Sequence, residues 1–340
     1  MVDAIKALAS QLIVWHHLVF YGPMSDVVYP YATGVMNWLY DQARVAVQAF
    51  LVVAGFLAAR SLLARVESAD LHPPRMIWRR YTRLAGPYLV ALAAALVSGA
   101  VARRLIQHPD VPTAPSLAQT ISHVFLLENI LGFEGLSAGV WYVAIDLQLY
   151  ALLVLLLWLA RKLAGATGSR VSPAAWLLVA GMTIASLFWL NREPGLDVWA
   201  VYFFGAYGLG IMAHGISIQP RKHLWIAALA LVVCAALFVE WRSRILLAGL
   251  TAITLACSTQ YSTQWATPRL VTWLSHISYS VFLIHYPVCL LVGAIVFRLW
   301  PESAAANAAG MVLAWLCSVG AGGILYRTVE ARAARWAVLR

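Results

Sequence analysis

Side chains able to do chemistry are few in this chain and stand in apolar surroundings, so each one is informative. Lys6 and His17 are eleven residues apart in the stretch KALASQLIVWHH. On a helix, eleven steps of about 100° make three turns plus roughly 20°, which puts both side chains on one face, about 16 Å apart along the axis. That is close to half of a ~30 Å hydrocarbon core. A cation at one membrane surface with an imidazole near mid-depth is a costly arrangement, and ionisable groups inside a membrane read as functional. His17 is favoured over His16, which points about 100° away. The competing readings are a satisfied core histidine and a lysine that snorkels to the interface.

Three further stretches carry candidates. Arg79, Arg80 and Arg83 have i, i+3 and i, i+4 spacings, and guanidinium groups on one helix face suit phosphate. A topogenic or lipid-headgroup patch is the alternative. Asp146 lies inside the apolar run Trp141–Tyr150. A lone buried carboxylate needs a partner. His17 is the expected one, since a carboxylate orients an imidazole and raises its basicity; an arginine or tyrosine on another helix is the alternative. His285, in the run His276–Pro287, is expected about 18 Å from the cytoplasmic end, a depth like that of His17. Ser278 and Tyr279 would line the same cavity. His17, His285 and Asp146 include no close-spaced ligand pair, so no metal is expected.

The elements that must hold these groups follow from composition. Of the 340 residues, 62% are hydrophobic and 11% charged, and the mean hydropathy is +0.77. Globular domains carry about 25% charged residues. The expectation is an all-α integral membrane protein forming one transmembrane domain, 1–340, in a lipid bilayer. The net charge of +10 then reports positive charge kept on the cytoplasmic face, and no nucleic acid partner is expected. The first apolar segment is read as a span, because no small-residue cleavage site follows it before the aromatic stretch 20–31. Cys234, Cys257, Cys289 and Cys317 show no CxxC spacing and read as small core residues.

Long apolar runs predict about ten spans, at 4–21, 42–65, 84–106, 139–163, 172–190, 197–215, 223–239, 243–258, 272–298 and 304–327. The segment 116–131 is too short and polar to cross, and reads as a re-entrant or interfacial helix. With the N-terminus inside, seventeen of the 24 lysines and arginines fall on the cytoplasmic side. Arg44, Arg103, Arg104, Arg192, Arg242, Arg244 and Arg298 fall outside. This asymmetry supports cytoplasmic N- and C-termini. The longest external loops, 22–40 and 107–138, are where an external acceptor would be met.

The four stretches, in this order, resemble the membrane-bound acyltransferase-3 family. Lys6 and His17 match its basic residue, ten residues, then histidine. Arg80 and Arg83, followed by Gly86-Pro87-Tyr88, match its Arg-x-x-Arg motif. Trp141 to Tyr150 is similar to its Trp-Ser-Leu-x-x-Glu-x-Gln-Phe-Tyr segment, with Asp146 in place of the glutamate. Ser278 to Pro287 is similar to its Ser-Tyr-Ser-x-Tyr-Leu-x-His-x-Pro segment. The second span departs from the pattern, reading Ala46-Val47-Gln48-Ala49-Phe50-Leu51-Val52-Val53-Ala54-Gly55-Phe56 without the usual serine and second phenylalanine. The resemblance covers nearly the whole chain. It implies an acyltransferase of the bacterial inner membrane that moves an acyl group, usually acetyl, from cytoplasmic acyl-CoA to a hydroxyl of an extracytoplasmic carbohydrate or glycolipid-type acceptor. Arg80 and Arg83, with Arg79 and Lys6, would hold CoA phosphates. His17 would act as general base, with Asp146 orienting it. Tyr150, Gln148, Trp141, Asn129, Glu128, Ser278, Tyr279 and His285 would line the pocket. No metal is implied.

A proton-coupled transporter or channel, relaying protons through Asp146 and the histidines, is the alternative. Transporters often show repeats with helices broken at mid-depth, whereas Pro87 and Pro287 fall in no evident repeat.

Overall fold

A computed structural model describes residues 1–63, 66, 71–168, 170–258 and 267–333. Arg65, Arg335 and Arg340, all counted among the expected cytoplasmic charges, lie outside the described residues, as does the end of the expected span 42–65. Among the described residues all regular structure is helical. The helices are α1 (Val2–Phe20), α2 (Met24–Val28), α3 (Thr33–Asp41), α4 (Val47–Leu62), α5 (Pro73–Leu105), α6 (Leu117–Val124), α7 (Val140–Thr167), α8 (Val171–Phe188), α9 (Ala200–Ser217), α10 (Lys222–Val239), α11 (Ser243–Ser258), α12 (Arg269–Leu299) and α13 (Ala304–Leu325).

Eight helical stretches among the described residues are long and apolar enough to cross a membrane, which makes this an integral membrane protein. Two of the ten expected spans, α1 and α11, are not among them. α1 has 19 residues but includes Asp3, Lys6 and both histidines. α11 has 16, or about 24 Å of helix against a ~30 Å core. The expected interfacial piece 116–131 is helical only over the eight residues of α6. Ser116 caps it by accepting from the Gln119 amide, which satisfies one of the orphan N–H groups of the first turn. Left-handed backbone at Leu126 (φ 58°) and Gly132 (φ 74°) then turns the chain out of helix.

The chain divides into two compact units. The first comprises Met1–Lys6, Val47–Tyr81 and Ile145–Pro268. Its centre is α4 against α9, in reciprocal glycine contact. A Cβ on Gly55 would overlap the Tyr207 carbonyl, and a Cβ on Gly210 would overlap that of Val52. Gly208 is likewise closed by Thr183 of α8. In hydrocarbon, helices gain little from burying apolar surface, and close backbone approach through small residues replaces it.

The second unit comprises Ala7–Ala46, Thr82–Ala144 and Arg269–Arg340. Val14 and Leu18 of α1 pack with Met24, Ile277, Val281 and Met311 in its core. α12 lies along α13, where a Cβ on Gly322 would overlap Val281. Trp315 of α13 donates its indole N–H to Gln11 of α1 at 2.8 Å, which sets α1's rotation about its own axis.

The reciprocal glycine contact makes a direct prediction. Gly55→Ala and Gly210→Ala should each lower stability by about 1–3 kcal/mol through overpacking, read as a fall in the thermal midpoint in detergent. Gly165→Ala, where a Cβ meets open space, should leave the midpoint unchanged or raised.

Candidate active site

In the second unit, α1 and α12 bring together His17, in the last turn of α1, and His285, in the middle of α12. His17 Nδ1 lies 2.7 Å from His285 Nε2. The rings are 11° from parallel with centroids 4.9 Å apart, the arrangement of two imidazoles meeting edge to edge. His285 is fully buried, and its Nδ1 lies 2.7 Å from the Phe282 carbonyl and 3.2 Å from that of Val281. The hydrogen positions follow from this network. A carbonyl only accepts, so His285 Nδ1 carries the proton and its neutral ring offers a lone pair at Nε2. His17 Nδ1–H must then donate to it. The lone pair of neutral His17 is thereby assigned to Nε2, the form a general base needs.

The surroundings hold this pair in place. Phe282 packs edge-on against Tyr142, with ring centroids 5.2 Å apart. A Cβ on Gly139 would stand 3.0 Å from the Phe282 carbonyl oxygen, so only glycine leaves that carbonyl undisturbed. Tyr21 lies 5.7 Å from the His17 ring and 5.1 Å from Tyr286, forming an aromatic wall beyond the pair. His16 is pinned elsewhere: its Nδ1 meets the Leu39 carbonyl at 3.1 Å, and its ring is buried.

The orienting carboxylate expected for His17 is engaged elsewhere. In the first unit, Asp146 Oδ2 accepts from Arg80 Nη2 at 2.6 Å and from Nε at 3.2 Å, and the guanidinium stands over the Tyr150 ring at 5.2 Å. The reason is electrostatic. A buried carboxylate gains more from a full positive charge than from a neutral ring. α5 begins at Pro73, so Arg80 is already about two turns into its helix and can reach such a carboxylate. Arg79 and Arg83 are exposed.

The remaining candidates separate by environment. Gln148 binds backbone at the start of α9, donating to Val198 O at 3.2 Å and accepting from Ala200 N at 2.9 Å. Tyr279 donates to Leu84 O at 3.2 Å. Ser278 is buried, whereas Asn129 and Trp141 are partly exposed. Lys6 lies in the first turns of α1. Among the described residues no group of His, Cys, Asp and Glu could hold a metal ion.

Several structural partners were not singled out from sequence. Glu330, in a π-helical turn at Tyr326–Glu330, accepts from Ser280 at 2.6 Å. Asp110 accepts from the Gly22 amide at 2.7 Å, and its own amide donates to His108 Nδ1 at 3.3 Å. His108 Nε2–H then donates to Asp26 at 3.2 Å. These contacts clasp the loop after α5 to the end of the helix that carries His17. The only sequence signal for them was polar residues beside apolar runs.

Glu128 stands apart. It is fully buried in the turn after α6, and both carboxyl oxygens are without a hydrogen bond. Burial raises its pKa from the ordinary 4.5 to about 7, against a smaller opposing effect of its own backbone N–H. Nearby, His123 accepts from Leu136 N at 3.0 Å and donates to Gln119 O at 2.8 Å; burial lowers its pKa.

A family model described as an acyltransferase domain matches residues 2–323. No curated protein and no solved structure matches.

The state of Glu128 can be tested by pH. Between pH 4.5 and about 7 the unfolded chain loses this proton while the folded chain keeps it, so stability should fall as pH rises through that window. The full penalty, up to about 3 kcal/mol, applies above it. Glu128→Gln should be more stable than the parent at pH 8 and equal to it below pH 4.5, measured by denaturation across pH.

Proposed function

This chain belongs to the acyltransferase-3 family and is a membrane acyltransferase, and from that premise we propose that it moves an acetyl-class acyl group from cytoplasmic acyl-CoA to a hydroxyl of an extracytoplasmic carbohydrate or glycolipid-type acceptor, with His17 as base. The observation that carries the reading is the 2.7 Å contact between His17 Nδ1 and a His285 whose own Nδ1 is held by a backbone carbonyl. It leaves His17 Nε2 as the nitrogen able to take a proton.

In the proposed step, His17 Nε2 accepts the acceptor hydroxyl's proton as its oxygen attacks the thioester carbonyl. The C–O bond forms, the tetrahedral intermediate collapses with breakage of the C–S bond, and the imidazolium returns its proton to the departing CoA thiolate. His285 accepts from His17 Nδ1 throughout, a task that a carboxylate performs in the Ser-His-Asp arrangement. Arg79 and Arg83, both exposed on α5, are suited to the CoA phosphates together with Lys6. Arg80, tied to Asp146, anchors that face. Proton relay through Asp146 is disfavoured, because protonating it would leave a guanidinium without its counter-charge. The bacterial inner membrane is the proposed location.

The test is incubation of the protein in lipid nanodiscs with labelled acetyl-CoA and candidate acceptors. His17→Ala should lower transfer about a thousandfold with folding intact, and full retained transfer would sink the proposal. His285→Leu should lower kcat about a hundredfold with little change in KM, and His285→Gln, which restores an acceptor, should recover part of the loss.

Donor binding makes a separate prediction. The thermal shift produced by CoA should disappear in Arg79→Ala/Arg83→Ala, while the variant still unfolds in one cooperative transition without CoA.

A further inference from the structure

A cleft in the first unit, remote in sequence from the histidines and the Arg-x-x-Arg motif, has the character of a ligand site. Its cavity volume is small, about 20 Å³, and it is open on one side. Its polar lining is Gln48, Asn191, Tyr202 and Arg244. The start of α4, the start of α9, the start of α11 and the segment after α8 all contribute to it. The starts of α9 and α11 thus border one cleft, and a helix start favours negative charge.

The side chains add to this. Arg244 donates to the Tyr202 hydroxyl at 2.7 Å and to Asn191 O at 3.0 Å, and Arg242 donates to the same carbonyl at 2.7 Å. Arg242 also pairs with Glu240, and Arg192 reaches Glu240 only at 3.6 Å. Two guanidinium nitrogens of Arg192, Nε and Nη2, are buried without a hydrogen bond. Arg242 and Arg192 thus share one carboxylate, with Arg244 bound beside them to the Asn191 carbonyl, a local surplus of positive charge. In contrast, Asn191 Oδ1 is an acceptor: the residue is only 6% exposed, and this oxygen has no partner. A buried acceptor left unsatisfied is destabilising. A ligand that suits the whole cleft brings anionic oxygens for the arginines and a hydroxyl for Asn191.

The depth of the cleft indicates the source of such a ligand. Trp189, Trp199 and Trp241 flank the same helix ends and are 64%, 43% and 69% exposed. Exposed tryptophans at helix ends mark the headgroup level of a bilayer. Arg192, Arg242 and Arg244 are also among the charges that the sequence topology assigns to the extracytoplasmic side.

We propose that this cleft binds the phosphate ester of a hydroxyl-bearing headgroup, presented by an amphiphile embedded in the membrane. The phosphate lies against Arg244, with Arg242 and Arg192 adding positive charge behind the lining, and the hydroxyl donates to Asn191 Oδ1. The site is independent of the acyl-transfer reading, and its test requires no turnover.

The probes are phosphatidylglycerol (phosphate and hydroxyls), phosphatidic acid (phosphate alone), phosphatidylcholine, and water-soluble glycerol phosphate. Binding to the full-length protein is read by native mass spectrometry and by thermal shift. The expected order is phosphatidylglycerol, then phosphatidic acid, then phosphatidylcholine. Asn191→Leu should remove the preference for phosphatidylglycerol over phosphatidic acid, a change of about tenfold. Arg244→Gln should weaken both. Should Arg244→Gln fail to fold, Gln48→Glu, which adds a negative charge to the lining, should weaken both phosphate lipids about tenfold. Equal binding of all three lipids, a preference unchanged in Asn191→Leu, or binding of glycerol phosphate with no response to phosphatidylglycerol would each overturn the proposal.

Discussion

Polar groups carried into a low-dielectric interior must find partners there, and much of this structure follows from that constraint. Water is not at hand to satisfy them, so each buried charge or ring nitrogen selects a neighbour of matching chemistry. Asp146 takes Arg80. His17 takes His285, which takes a backbone carbonyl. Ser280 takes Glu330, and Trp315 takes Gln11. Such contacts are short and directional, so they define the rotation of each helix more sharply than apolar packing does.

Packing serves the same end by bringing backbones close enough for these partners to meet. The glycine contacts between α4 and α9, and between α12 and α13, allow tight approach where the hydrophobic effect contributes little between helices. Gly139 is the case nearest the chemistry. It leaves room for the Phe282 carbonyl, which holds His285, which in turn sets the tautomer of His17. A small residue outside the reacting pair is thus tied to its protonation pattern through three contacts.

The helical membrane class and the family were both legible in the residues. Hydrophobic runs of span length, charge asymmetry and a basic residue eleven positions before a histidine are local or periodic features, and local features survive without tertiary knowledge. A short helix within 116–131 was also legible in outline, although it ends at Val124, before the left-handed Leu126, earlier than its apolar pattern suggested. The expected number of spans was less secure, because α1 and α11 lie at the margin of length and polarity where hydropathy ceases to discriminate.

Partner choice was not legible. From sequence, Asp146 had two kinds of candidate partner, His17 on one side and an arginine or tyrosine on the other, and depth estimates along separate helices could not separate them. Helix stagger and rotation decided for Arg80, and made a second histidine rather than a carboxylate the group that orients His17. Similarly, Asn191, Tyr202, Arg244 and Gln48 converge on one cleft from four segments that show no shared motif. By itself the sequence determined which groups would be buried and therefore need partners, because burial follows from the composition of each helix. Only the tertiary structure decided which partner each group found, because that depends on distances of a few ångströms between helices far apart in the chain.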